Sequence, residues 1–315
     1  MSIRVIDGLP IFSTSNEIHS MNNHVKAYGM IHLAVIIFGF TAILGALIGL
    51  PSLSLVWWRV LIAGLGLTFF TKGIRFLRFI PFKQLIRFSI IGSLIAIHWV
   101  AFFASVKIAG ASVCLVCMAT TCVFVSVIEP VILKKPFNKL NFSIALLIIP
   151  GMVMVVESLE VSRYPGILLG LFSAFLAGVF ASLNKKYIDE INVWQLSWIE
   201  MCSAWLTLSI VAIFYYLITG PFSWWPSHTD WIYLLILGIV CTTLAHVLSL
   251  SALKHVSAFA LNLVLNLEPV YGIILAALLL HENKKLSGSF YVGATLIMIS
   301  VLMYPFIQKR FAHVI

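Results

Sequence analysis

The stretch ASVKIAGA at residues 104–111 returns as SALKHVSA at residues 251–258, at an offset of 147 that places Lys107 on Lys254. The chain on either side of each copy is strongly apolar. Followed outward, residues 28 to 308 hold ten nearly uninterrupted apolar stretches. Each has about 18 to 25 residues, enough at 1.5 Å rise to cross a hydrocarbon core about 30 Å thick. The second five repeat the first five. Trp57, Trp58, Arg59 in the second stretch aligns with Trp198, Ile199, Glu200 in the seventh, and Phe38, Gly39 in the first with Ala177, Gly178 in the sixth.

Backbone in lipid must satisfy its own hydrogen bonds, so these stretches are helices. The expected fold is all-α and polytopic, with helices at 27–49, 53–71, 86–106, 111–133, 141–157, 165–184, 194–218, 231–252, 257–280 and 288–307. Composition agrees: 61% apolar and 10% charged residues, with a mean hydropathy of +1.07, leave too little polar surface for a soluble globule. Two five-helix repeats follow, at 27–157 and 165–308, flanked by tails at 1–26 and 309–315. An odd number of crossings makes the second repeat enter the bilayer from the opposite face, so the repeats are inverted. Such halves can expose one central site to each side in turn.

The net charge of +9 suggests a polyanion partner until the positions are inspected. With the N-terminus inside, fifteen Lys and Arg residues fall in the inner segments and only Lys107, Arg163, Lys284 and Lys285 in the outer ones. This positive-inside bias puts both termini in the cytoplasm and removes the reason to expect nucleic acid. The Trp224, Trp225 loop then lies at the outer interface. Residues 1–26 are polar, do not form a signal peptide, and are expected to be a disordered tail, with Met21 an alternative start. Cys114, Cys117, Cys122, Cys202 and Cys241 all fall within spans. The C-x-x-C at Cys114 and Cys117 lacks a second pair, so neither disulfides, a metal nor a cofactor is expected.

The chain resembles the drug/metabolite transporter superfamily, of the ten-helix EamA type. The residues that carry the likeness are Gly39, the Trp58-Arg59 pair with Ala63 and Gly64, the segment Ser251 to Ala258, and Asn266, Leu267, Glu268, Pro269, Val270 followed by Leu278, Leu279, Leu280, His281, Glu282. The resemblance implies an inner-membrane carrier with its cavity between the repeats, often an exporter of amino acids or similar metabolites. Two departures matter. The membrane-embedded first-helix glutamate of the smaller multidrug relatives has no counterpart here. Glu129-Pro130 is not the repeat mate of Glu268-Pro269, because the offset places Thr121 and Cys122 there.

Candidate site residues are the polar groups that a bilayer excludes, since an ionised side chain at mid-span costs about 2.5 to 3.5 kcal/mol on insertion scales. Arg59 can pair a substrate carboxylate through two parallel hydrogen bonds, or snorkel to the interface. Glu268, beside the helix-breaking Pro269, is the candidate coupling group; otherwise it is a fixed interhelical partner. Asn262 and Asn266 form a stripe with Pro269 roughly 120° to 160° around the helix from Glu268, so both faces are not expected to line one narrow cavity; the asparagines line the pathway, or bond between helices. His98 and His246 are candidate titrating groups, or neutral hydrogen-bond partners. Trp57, Trp99, Trp198 and Tyr271 are candidate aromatic walls, or packing residues. Glu129 and Glu200 lie near inner helix ends and are expected to be solvated; Glu282 is expected to be structural.

No H-E-x-x-H, G-x-S-x-G or P-loop pattern occurs, which argues against an enzyme. The expected function is a monomeric secondary transporter of a small molecule, working by alternating access. An importer or facilitator of another solute such as a nucleoside or sugar, and a channel or lipid scramblase, are the alternatives.

Overall fold

The computed structural model describes residues 14–71, 73–281 and 286–311, with side chains over 25–71, 73–281 and 286–299 and at Met303. All regular structure among them is helical. The first repeat comprises α1 (Thr14–Leu47), α2 (Ser52–Phe70), α3 (Phe82–Ala109), α4 (Ala111–Ala119), α5 (Thr121–Leu133), α6 (Lys139–Leu146) and α7 (Ile148–Glu157). The second comprises α8 (Tyr164–Tyr187), α9 (Val193–Thr219), α10 (His228–Leu235), α11 (Ala245–Leu253), α12 (Ala258–Leu265), α13 (Glu268–Leu279) and α14 (Gly288–Phe311). Among the described residues nine spans are long and apolar enough to cross a membrane, and α14 adds a shorter apolar stretch at Gly288–Ile299.

Three expected single helices are interrupted. The fourth span breaks at Thr120, between α4 and α5, and the ninth at Asn266 and Leu267, between α12 and α13. In the ninth, Pro269 has no N–H to donate back to Leu265, and its fixed φ suits the first turn of a new helix instead. The fifth span breaks at Leu147, where Pro150 has the same effect on α7. The first helix starts at Thr14, so residues 14–26, expected as tail, continue it. Extending a nucleated helix adds one hydrogen bond per residue fixed, which polar residues supply as well as apolar ones.

The breaks show the repeat in the backbone. Thr120 and Leu267 are 147 residues apart, as are the helix starts at Ala111 and Ala258. Lys134 and His281, both at φ 53°, are the positive-φ non-glycine residues among those described, and they too are separated by 147. They end the fourth and the ninth span with the same left-handed turn.

The eighth span joins α10 to α11 through a π-helical segment, Ile236–Leu244. The Thr242 hydroxyl donates to the carbonyl of Leu237 (2.7 Å) and that of Thr243 to Gly238 (3.1 Å), both at the five-residue spacing of the wider coil. Gly238 lets this segment press onto α2, since a Cβ there would lie 2.7 Å from Ile62 and 3.2 Å from the Arg59 carbonyl oxygen.

Gly92 on α3 plays the same part against α9. A methyl at this position would lie 2.8 Å from the Cα of Glu200. Gly92→Ala therefore forces α3 and α9 apart, and is expected to lower stability by about 1–3 kcal/mol. Thermal denaturation of the purified protein in detergent reads this as a lower midpoint. Gly29→Ala, at an exposed position within α1 with no neighbour within 4 Å of the added methyl, does not lower the midpoint and raises it slightly.

Polar ties close the two ends of the bundle. At the end away from most Lys and Arg residues, Lys107 Nζ donates to the Ile48 carbonyl (2.9 Å) and Asp230 accepts from the Gly49 N–H (2.8 Å). Around them Trp57, Trp58, Trp205, Trp224, Trp225 and Trp231 form an aromatic cluster, with Trp58 Nε1 donating to the Trp224 carbonyl (2.9 Å). At the Lys/Arg-rich end Lys185 Nζ donates to the Leu253 carbonyl (2.7 Å), and both carboxylate oxygens of Glu129 accept the N–H groups of Ala258 and Phe259. Glu129 is thus not the solvated group that its place near a helix end suggested. It is 7% exposed and caps α12, where carboxylate charge meets the positive end of the helix.

Candidate functional site

A cavity of about 120 Å³ lies between the two repeats. The first repeat contributes Phe38 and Thr41 from α1, Arg59 from α2, His98, Trp99 and Phe102 from α3, and Thr121 at the start of α5. The second contributes Phe180 and Asn184 from α8, His246 and Ser249 from α11, and Asn262, Asn266, Glu268 and Pro269 from the ninth span. Of the residues predicted from sequence, Arg59, His98, Trp99, His246, Asn262, Asn266 and Glu268 meet here.

The meeting of Asn262, Asn266 and Glu268 on one cavity overturns the expectation that their faces diverge. That expectation assumed continuous helical rotation from 262 to 268. The break at Asn266 and Leu267 resets the rotation, so the last turn of α12 and the first of α13 face the same space. Asn266 also joins the two breaks directly. Its Nδ2 donates to the carbonyl of Ala119 (2.9 Å), the last residue of α4, and lies 3.1 Å from Cys122 Sγ. Asn262 Nδ2 donates to the Ala258 carbonyl within α12 (2.8 Å).

Arg59 is 0% exposed. Its Nε donates to the Thr242 hydroxyl in the π segment, and Nη2 to the Cys241 carbonyl at 3.4 Å. The guanidinium carbon lies 4.2 Å from the centre of the Trp99 ring and 5.4 Å from that of Phe103. One edge of the planar fork is held and its face is stacked, while Nη1 is buried without a partner. Glu268 lines the same cavity. Unpartnered buried polar atoms recur around the wall: Thr121 Oγ1, Asn184 Oδ1 and Ser249 Oγ all lack a bond. Leaving a buried polar group unpaired costs about 1–3 kcal/mol, so each of these atoms is a place where a water or a polar guest gains a hydrogen bond.

The two histidines differ. His98 Nδ1 donates to the Ser173 carbonyl (2.9 Å) while the Ser173 hydroxyl donates to the His98 carbonyl (3.0 Å), a reciprocal clasp that ties α3 to α8. His246 Nε2 lies 2.7 Å from Glu200 Oε2. Glu200 was expected to be solvated, but it is 0% exposed, because α3 covers it where Gly92 admits the α9 backbone. The alignment of Arg59 with Glu200 as repeat mates was the signal in the sequence that marked it.

Trp57 and Tyr271 stand outside the cavity. Trp57 belongs to the outer aromatic cluster, its Nε1 donating to Ser209 Oγ (2.8 Å), and Tyr271 is 41% exposed on α13 beside Gly39. Trp198 donates to the Thr68 hydroxyl (2.9 Å) and packs against Phe76. The predicted structural role of Glu282 falls outside the described residues.

Two inverted five-span halves with a cavity between them, mostly apolar but carrying several buried polar groups, make a polytopic membrane protein. The chain belongs to the EamA-like transporter family, whose model matches residues 25–157 and 164–304. Its members are membrane transporters of small molecules rather than enzymes. Among solved structures 29 chains match. One, described as "Crystal structure of protein", superimposes with a TM-score of 0.67 at 15% identity, over 92% of this chain and 99% of that one, and so shares the fold. No curated protein matches in sequence.

Proposed function

We propose that the protein is a monomeric secondary transporter that works by alternating access between its two inverted halves. It exports amino acids or similar small metabolites bearing a carboxylate across the inner membrane, with both termini in the cytoplasm. The observation that carries this reading is the buried guanidinium of Arg59, stacked on Trp99 with Nη1 free, in one cavity with Glu268. A carboxylate at Nη1 gains a charge-assisted bond in a low-dielectric site. An ammonium on the same solute has Glu268 as its counterpart, and Phe38, Phe102 and Phe180 offer apolar contact. Glu268 is the coupling group. The cavity wall reaches Asn184, Leu253 and Leu261 at the Lys/Arg-rich ends of α8, α11 and α12, while the opposite end is closed by the Lys107, Asp230 and tryptophan ties. That arrangement suits loading from the cytoplasm.

Reconstitution into liposomes tests it. Labelled amino acids are offered one at a time, with and without a proton gradient and with unlabelled solute trapped inside. Saturable uptake with counterflow for any of them is the expected result. Flux that never saturates points to a channel or scramblase; saturable flux of only nucleosides or sugars replaces the substrate class.

A further inference from the structure

We infer that the His246–Glu200 pair is a proton-binding site that loads from the cavity, separate from Glu268. For its part in transport the inference rests on the carrier reading above; for proton binding it stands alone. Glu200 is fully buried, and its Oε1 has no partner, so the carboxylate is held by a single hydrogen bond, from His246. A buried carboxylate carries a desolvation penalty of several kcal/mol that one neutral donor does not offset. One proton taken up by the pair removes its net charge, whether it rests on the imidazole or on the carboxyl oxygen. Nothing else is needed for balance: the proton comes from water in the cavity and returns to it.

The route is short. His246 lines the cavity, 8% exposed, while Glu200 lies behind it, so the imidazole is the gate through which the carboxylate meets a proton. Lys26, Tyr28 and His32 on α1, which packs on α11, are exposed, whereas the pair is buried. On α2, Arg59 is stacked on Trp99; on α3, His98 is clasped to Ser173 and Arg87 pairs with Glu190 near the chain surface. On α8, Lys185 is tied to the Leu253 carbonyl; Cys202 on α9 faces Gly64, Cys241 in the π segment adjoins Arg59, and Glu268 stands on α13. Trp99 contacts both centres, its ring 4.2 Å from the Arg59 guanidinium carbon and 6.4 Å from the His246 ring. A proton on the pair therefore adds positive charge to the wall that holds Arg59, and it favours an anionic guest there. By linkage, an anionic guest favours the proton.

The test needs no substrate. Infrared difference spectra of the full chain in lipid nanodiscs, recorded over a series of pH values, read carboxyl and imidazole protonation directly. A component present in wild type and in Glu268→Gln, and lost or displaced in both Glu200→Gln and His246→Gln, is the expected result. Spectra of the two pair variants that match wild type overturn the inference. If Glu200→Gln fails to fold, His246→Gln, which leaves the contact between Gly92 and α9 untouched, decides alone. In liposomes the folded pair variants lose proton-driven accumulation and keep counterflow; an unchanged response to the gradient removes the pair from coupling even where the spectra show it titrating. Absence of flux from wild type counts against the carrier reading and leaves the spectral result standing.

Discussion

Arg59→Lys reduces saturable flux by about tenfold to a hundredfold, the equivalent of one charge-assisted hydrogen bond of roughly 1.5–3 kcal/mol. Lysine keeps the charge, so the loss isolates what the guanidinium's shape contributes. A planar group can stack on Trp99 and hold Thr242 with Nε while Nη1 stays turned to the guest. A single ammonium cannot divide itself this way. The effect falls on apparent affinity for the carboxylate-bearing solute, measured as the half-saturating concentration in counterflow. Thr242→Val provides the contrast. It removes the hydroxyl that holds Nε and leaves Nη1 in place, so it weakens flux less than Arg59→Lys does. Equal flux in wild type and Arg59→Lys would show that the substrate does not use the fork.

Glu268→Gln abolishes accumulation driven by a proton gradient and preserves counterflow. Glutamine fills the space of a protonated glutamate and cannot release a proton, so the carrier is left in one charge state and can only exchange solute for solute. The position suits the role. Glu268 opens α13 at the break, where the positive end of the helix favours a carboxylate and the cavity meets it on the other side. Parallel measurements at several internal and external pH values distinguish lost coupling from lost binding. Unchanged dependence on the gradient would remove Glu268 from coupling.

Much of this architecture was legible in the amino-acid sequence, because the bilayer imposes simple demands on a chain. Span length, the placement of Lys and Arg, and the 147-residue offset follow from hydrophobic thickness, charge and duplication, and none of them needs tertiary detail. The cavity was legible in part. Arg59 and Glu268 stood out because a charged group in a span requires a reason. What escaped was where helices stop. Pro269 announced a disturbance, but the size of the reset at Asn266 and Leu267 depends on packing against α4, and rotation extrapolated through a break loses its meaning. Thr120 ends α4 with no proline nearby to betray it. The misreading of Glu129 and Glu200 has a common cause: distance along a helix measures depth in the membrane, whereas exposure depends on neighbouring helices. Glu129 meets the start of α12 and Glu200 is covered by α3. Trp57 and Tyr271 illustrate the converse, since nothing in the sequence separates an aromatic on the inner face of a span from one on the outer.

The left-handed turns at Lys134 and His281 carry a consequence for the ancestry of the chain. A turn that only glycine adopts freely, kept by two non-glycine residues at one repeat position and preceded in each by a break at one repeat position, belongs to a five-span unit older than the duplication. Since the duplication the two halves have diverged at matching places: Arg59 stands in one and Glu200 in the other.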